Sequence, residues 1–108
     1  MYRSQPSRDT RKANPYLSQK VFSASPEQLV AYIMDYAVAA CIREDKVKAT
    51  ESIHLLINSL KYDHKEVAMT FYRGYNLILE HIFANRFEQA RMLISELRDH
   101  WKEAMHLD

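Results

Sequence analysis

SASPEQLVAYIMDYAVAACIR, residues 23–43, is the stretch whose reading decides the fold. Ser25 has the character of a helix N-cap, Pro26 suits the first helical position, and Gln28 completes a capping box. From Leu29 to Ile42 the only charge is Asp35. At roughly 100° per residue, Leu29, Ile33, Tyr36, Ala37 and Ala40 fall on one side. Val30, Met34, Val38 and Cys41 carry the apolar surface further round, leaving a polar strip at Gln28, Ala31, Asp35 and Ala39. A helix on the outside of a helical bundle needs only a stripe somewhat wider than 100°. This helix has apolar surface to spare, and the functional question is what covers the excess.

Working outward, the spacing predicts three more helices. Asp45 is placed to cap a second over about 46–61, with Ala49, Ile53, Leu56, Ile57 and Leu60 on one stripe. Asp63 followed by Glu66 starts a third, running to about Asn85. Its apolar side (Val67, Ala68, Phe71, Tyr75, Ile78, Leu79, Ile82) is broadened by Tyr72 and Phe83. Asn85 followed by Glu88 reads as the start of a fourth, in which Phe87, Ala90, Ile94, Leu97, Trp101 and Met105 recur three and four apart. Four amphipathic helices joined by short turns, with no alternating strand pattern, predict an all-α chain folded as an antiparallel up-down four-helix bundle over residues 25–108. The single glycine, Gly74, falls inside the third helix, where a close helix–helix approach would offset its low helix propensity.

Ahead of the bundle, residues 1–13 hold almost no apolar side chains and read as a disordered basic tail. Residues 14–24 read as an irregular arm: Pro15 keeps Asn14 out of helical space, and Tyr16, Leu17, Val21 and Phe22 are worth burying. Residues 1–24 carry five basic groups against Asp9 alone, a net +4, and the remainder nets −3. The total of +1 over 108 residues excludes a strongly basic nucleic-acid binder. The tail reads as a solvated arm near its own acidic body rather than a phosphate or membrane contact. One cysteine, Cys41, allows no internal disulfide, which suits a reducing compartment. It reads as a small buried hydrophobe. No apolar leader opens the sequence, and the 29–42 run is too short to span a bilayer. The expectation is a cytoplasmic protein without membrane insertion.

Catalytic signals are thin. Glu51-x-x-His54 and Glu103-x-x-His106 are half of a di-iron bundle pattern, with Asp35 and Glu80 as candidates for the remaining carboxylates. Helical phase puts Glu51 and Glu103 opposite their apolar stripes, so the expected metal and cofactor content is none. There is no phosphate-binding glycine loop and no G-x-S-x-G, and His64 and His81 have no catalytic partner at a useful spacing. The sequence predicts no enzyme. Seven tyrosines are many for this length. For Tyr32, Tyr36, Tyr72 and Tyr75 two uses stay open, ringing the core or lining an interface.

The motifs Asn14-Pro15-Tyr16, SASPEQL at 23–29 and ELRDHWKEAM at 96–105, in that order and over roughly residues 14–105, resemble the flagellar export chaperone FliS family. The resemblance implies a helical bundle without enzymatic activity, working in the bacterial cytoplasm. Its implied partner is the disordered C-terminal segment of flagellin, which it keeps from polymerising and helps deliver to the flagellar type III export gate. It further implies that Asn14, Pro15 and Tyr16 lie over part of a client groove. Tyr36 stands where the family has a glycine, and the stretch from Lys61 to Lys65 is shortened. Arc width nominates the contacts: Tyr16 and Leu17 in the arm; Met34, Tyr36 and Val38 on the first helix; Tyr72, Leu79 and Phe83 on the third. The chain is expected to be a monomer or weak dimer. The competing reading is a homo-oligomeric helical-bundle interaction protein in which the spare face of the first helix pairs with its symmetry mate.

Overall fold

The Ser25 hydroxyl accepts from the Gln28 amide at 3.1 Å, and the Gln28 side chain accepts from the Ser25 amide at 3.0 Å. That closed capping box, with Pro26 next, starts the first helix of a computed structural model that describes residues 23–61 and 65–107. The helices are α1 (Pro26–Ile42), α2 (Lys46–Asn58), α3 (Lys65–Phe83) and α4 (Phe87–Ala104). No strand occurs among the described residues. Each helix packs against its neighbours in sequence, and α4 returns to pack along α1. The tail at 1–13, the arm residues Asn14, Pro15, Tyr16 and Leu17, and the cap expected at Asp63 lie outside the described residues. The cap at Asp45 is present, its carboxylate accepting from the Lys48 amide at 3.1 Å.

Three helices end the same way, and none uses glycine. Glu44, Asn85 and His106 have φ of 56°, 61° and 57°, the left-handed conformation that costs a side-chain-bearing residue roughly 1–2 kcal/mol. In each case the following amide reaches back across the last turn: Asp45 to the Ala40 carbonyl at 2.9 Å, Arg86 to His81 at 2.8 Å, and Leu107 to Lys102 at 2.8 Å. These are Schellman closures, which satisfy carbonyls the helix leaves unpaired. They also correct one expectation. Asn85 does not cap α4, because the left-handed turn uses it to close α3; the N-cap is Arg86, which makes no side-chain capping bond. Glu44→Gly is therefore expected to raise stability by about 1 kcal/mol, seen as a higher midpoint in urea at unchanged slope.

The core is built from Met34, Ala37, Ala40 and Cys41 of α1, Ala49, Ile53 and Leu56 of α2, Tyr75, Ile78, Leu79 and Ile82 of α3, and Ala90 and Ile94 of α4. The face of α1 is rotated from the one its sequence suggests. Ala31 is buried, whereas Leu29 and Tyr36 stand 40% and 47% exposed. The reason is that α1 contacts α2 on one flank and α4 on the other. Small side chains at 31, 37 and 40 permit close approach on both sides, and the bulkier Leu29 and Tyr36 turn out. Ser52, also buried, satisfies its hydroxyl on the carbonyls of Lys48 and Ala49. A methyl placed on Gly74 would stand 2.9 Å from the Leu97 side-chain tip. Gly74 is thus where α4 approaches α3 closely, as its place in the sequence suggests.

Contacts between helix ends fix their relative placement. The Trp101 indole N–H donates to the Glu27 carbonyl at 2.9 Å, joining the last turns of α4 to the first turn of α1. Further along the same pair, Arg98 bonds Asp35 at 2.9 Å. At the other end, the Lys46 ammonium reaches the Phe83 carbonyl at 3.4 Å, a cation at the negative end of the α3 dipole. Asp35 is exposed as expected, but its pairing with Arg98 is not legible from either helix alone.

Candidate functional site: an apolar groove at one end of the helices

The start of α1, the end of α2, the start of α3 and the end of α4 converge on an open groove of about 690 Å³. Leu29, Val30 and Ile33 form the α1 wall; Val67, Ala68, Phe71 and Tyr75 form the α3 wall. Trp101 and Met105 close one side, and residues 58–61 at the end of α2 close another. Phe71 organises the interior. Its ring meets Trp101 edge-on at 5.8 Å and lies 6.0 Å from Tyr75, separations at which aromatic pairs attract beyond their burial alone. Glu27 and Lys61 are the only charged residues of the lining among the described residues. Leu29, Val67 and Met105 remain 40%, 52% and 36% exposed, so the apolar surface continues outward onto the rim.

The residues nominated from arc width divide differently. Met34 and Leu79 are 0% and 8% exposed, belong to the core and are not part of the groove lining. Their helices present them inward between two neighbours, which a single helical wheel does not reveal. Tyr36, Tyr72 and Phe83 are exposed and Val38 is half-buried against the core, but none of the four lines the groove. Asn14, Pro15, Tyr16 and Leu17 lie outside the described residues. The groove is made instead from Leu29, Ile33, Val67, Phe71, Trp101 and Met105. All six appear on the apolar stripes read from the sequence. The signal that would have joined them is position: Leu29 and Val67 stand in the first turn of their helices, and Trp101 and Met105 at the end of theirs.

Tyr75 differs from the other described tyrosines, Tyr32, Tyr36 and Tyr72. It is only 2% exposed, and burial drives its phenol pKa well above its ordinary value of 10.0. Burial also raises the Cys41 thiol above 9.0, with the Arg91 charge pulling weakly the other way. Both groups fold in the neutral form and ionise more readily when the chain unfolds. The unfolded chain therefore binds fewer protons than the folded one at alkaline pH, and stability falls as pH rises. Stability is expected to hold below pH 9.0 and to decline above it, in two contributions beginning near 9.0 and 10.0. Chemical unfolding from pH 7 to 11 checks this, and Tyr75→Phe should remove the upper contribution.

A second, polar hollow of about 380 Å³ lies between α1 and the end of α4, lined by Gln28, Tyr32, Asp35, Lys102 and His106 among others. No three His, Cys, Asp or Glu side chains among the described residues come together as a metal site. Glu51, His54, Glu80, Glu103 and His106 are all exposed. No described helix is long and apolar enough to cross a membrane. Compared with family models, with characterised proteins and with solved structures, the chain matches none.

Proposed function

We propose that the chain is a non-enzymatic cytoplasmic chaperone of flagellar type III export. Its client is the disordered C-terminal segment of flagellin, which it holds against premature polymerisation on the way to the export gate. The fold that goes with this reading is an antiparallel up-down bundle. The short connections support it, as do the bonds from Trp101 to Glu27 and from Lys46 to Phe83, which pair the end of one helix with the start of another. The observation that carries the functional reading is the end groove, with its apolar walls, its open side and its rim of half-exposed Leu29, Val67 and Met105. A contiguous exposed apolar patch of this kind marks an interaction surface, and a segment that folds on contact can fill it with alternate side chains. Pro26 stands on the groove lining, so the chain enters α1 at the groove edge, and the arm at 14–24, with Tyr16, Leu17, Val21 and Phe22, precedes that point in sequence. In this reading it is a displaceable cover.

Co-purification of the full chain from the cytoplasm of its native bacterium tests the proposal, with flagellin as the expected partner in a one-to-one complex. Sedimentation of the isolated chain should give a monomer or weak dimer. A tight dimer that excludes flagellin would replace the chaperone reading with the homo-oligomeric one.

A further inference from the structure

Tyr75 is one of the groove-lining residues and is almost fully buried, and its hydroxyl has no hydrogen-bond partner among the described residues. Its only ring neighbour among the described residues is Phe71. A buried hydroxyl without a partner costs roughly 1–3 kcal/mol, and phenylalanine in the same place would carry no such cost. The Trp101 indole N–H, on the same lining, is by contrast satisfied on the Glu27 carbonyl.

We propose that Tyr75 is a specificity residue of the end groove, its hydroxyl donating to a main-chain carbonyl of an apolar peptide segment seated between α1, α3 and α4. The inference rests on the client reading above and deepens it. A peptide entering an apolar groove must bring its carbonyls with it, and each carbonyl left without a donor there is costly. Joining one of them to Tyr75 relieves both unsatisfied groups at once. A hydrocarbon tail fills the same apolar walls but leaves the hydroxyl as it was. Among the described lining residues Glu27 and Lys61 are one acidic and one basic group, so the lining carries no net charge to favour a charged acceptor over a neutral amide carbonyl. The groove thus prefers polypeptide to lipid or detergent of equal apolar area.

Tyr75→Phe in the full chain tests this with two probes. One is a synthetic peptide copying the C-terminal segment of flagellin; the other is N-phenyl-naphthylamine, an apolar dye without a carbonyl. Both are followed through Trp101, the only tryptophan in the chain and part of the groove wall. The expected result is about a tenfold loss of peptide affinity, dye affinity unchanged or tighter, and an unfolding midpoint no lower than that of the parent. Equal peptide affinity in parent and variant overturns the role of Tyr75 and leaves the client reading standing. A parallel loss of peptide, dye and stability overturns it too, by making Tyr75 a packing residue. Failure of the parent chain to bind the peptide overturns the client reading and the inference with it.

Discussion

Replacing Leu29 and Val67 together by lysine is expected to weaken client binding by at least about a hundredfold while leaving the helices intact. Both side chains are near half exposed in the free chain, at 40% and 52%, so a lysine stem can lie on the same surface with its ammonium in water. Binding changes that balance. Covering the remaining exposed half of each aliphatic side chain contributes on the order of 1 kcal/mol, and two such contributions are lost while two ammonium groups must be desolvated. Even with incomplete additivity, the loss exceeds the roughly 2.7 kcal/mol that corresponds to a hundredfold change. Tyr36→Lys is the matching control. Tyr36 is 47% exposed but lies outside the groove, so its substitution should leave affinity unchanged. If Tyr36→Lys is the damaging variant and the groove pair is silent, the client lies on the outer face of α1.

Trp101→Ala is expected to lower stability by about 3 kcal/mol, a large share of the 5–15 kcal/mol that holds a typical domain together. For a chain of this size that corresponds to a fall in melting temperature of roughly 15 °C. The indole has two separable roles. Its ring packs edge-on against Phe71 at 5.8 Å, and its N–H ties α4 to the Glu27 carbonyl of α1 at 2.9 Å. Trp101→Phe keeps an aromatic ring and removes the donor, and should cost about 1 kcal/mol. Thermal unfolding of both variants by circular dichroism separates the roles. Equal losses in the two would mean that the hydrogen bond, and not the packing, joins the ends of α1 and α4.

The alkaline decline, the gain from Glu44→Gly and these two results all depend on features that differ in how readily the sequence discloses them. The capping box at Ser25 and the cap at Asp45 are local: a few consecutive residues contain the whole interaction, and both stand where the sequence places them. The four helices are legible for the same reason, since apolar spacing repeats within each. Asn85 is where local reasoning fails. An asparagine followed three residues later by glutamate is a good helix start, but asparagine is also among the residues most tolerant of the left-handed turn that closes α3. The second use prevails here. Glu44 and His106 adopt that turn without any sequence signal.

The groove was not legible because it belongs to no single helix. A helical wheel identifies Leu29, Phe71 and Trp101 as apolar, but not that the start of α1, the start of α3 and the end of α4 meet. The same limit explains Met34. One wheel makes it part of a surplus face, whereas two neighbouring helices enclose it completely. Tyr75 is similar, an ordinary member of its stripe until the surrounding helices bury it with no partner for its hydroxyl among the described residues.

The most direct test of the groove as the client site is titration of the full chain with the flagellin C-terminal segment, read by Trp101 emission. The indole lies in the groove wall and is partly exposed, so covering it transfers it from water to an apolar surrounding. The prediction is a saturable blue shift that ends at one segment per chain and is absent from the Leu29→Lys, Val67→Lys variant. Calorimetric binding of the segment with no change in Trp101 emission would place the client elsewhere on the protein and contradict the account.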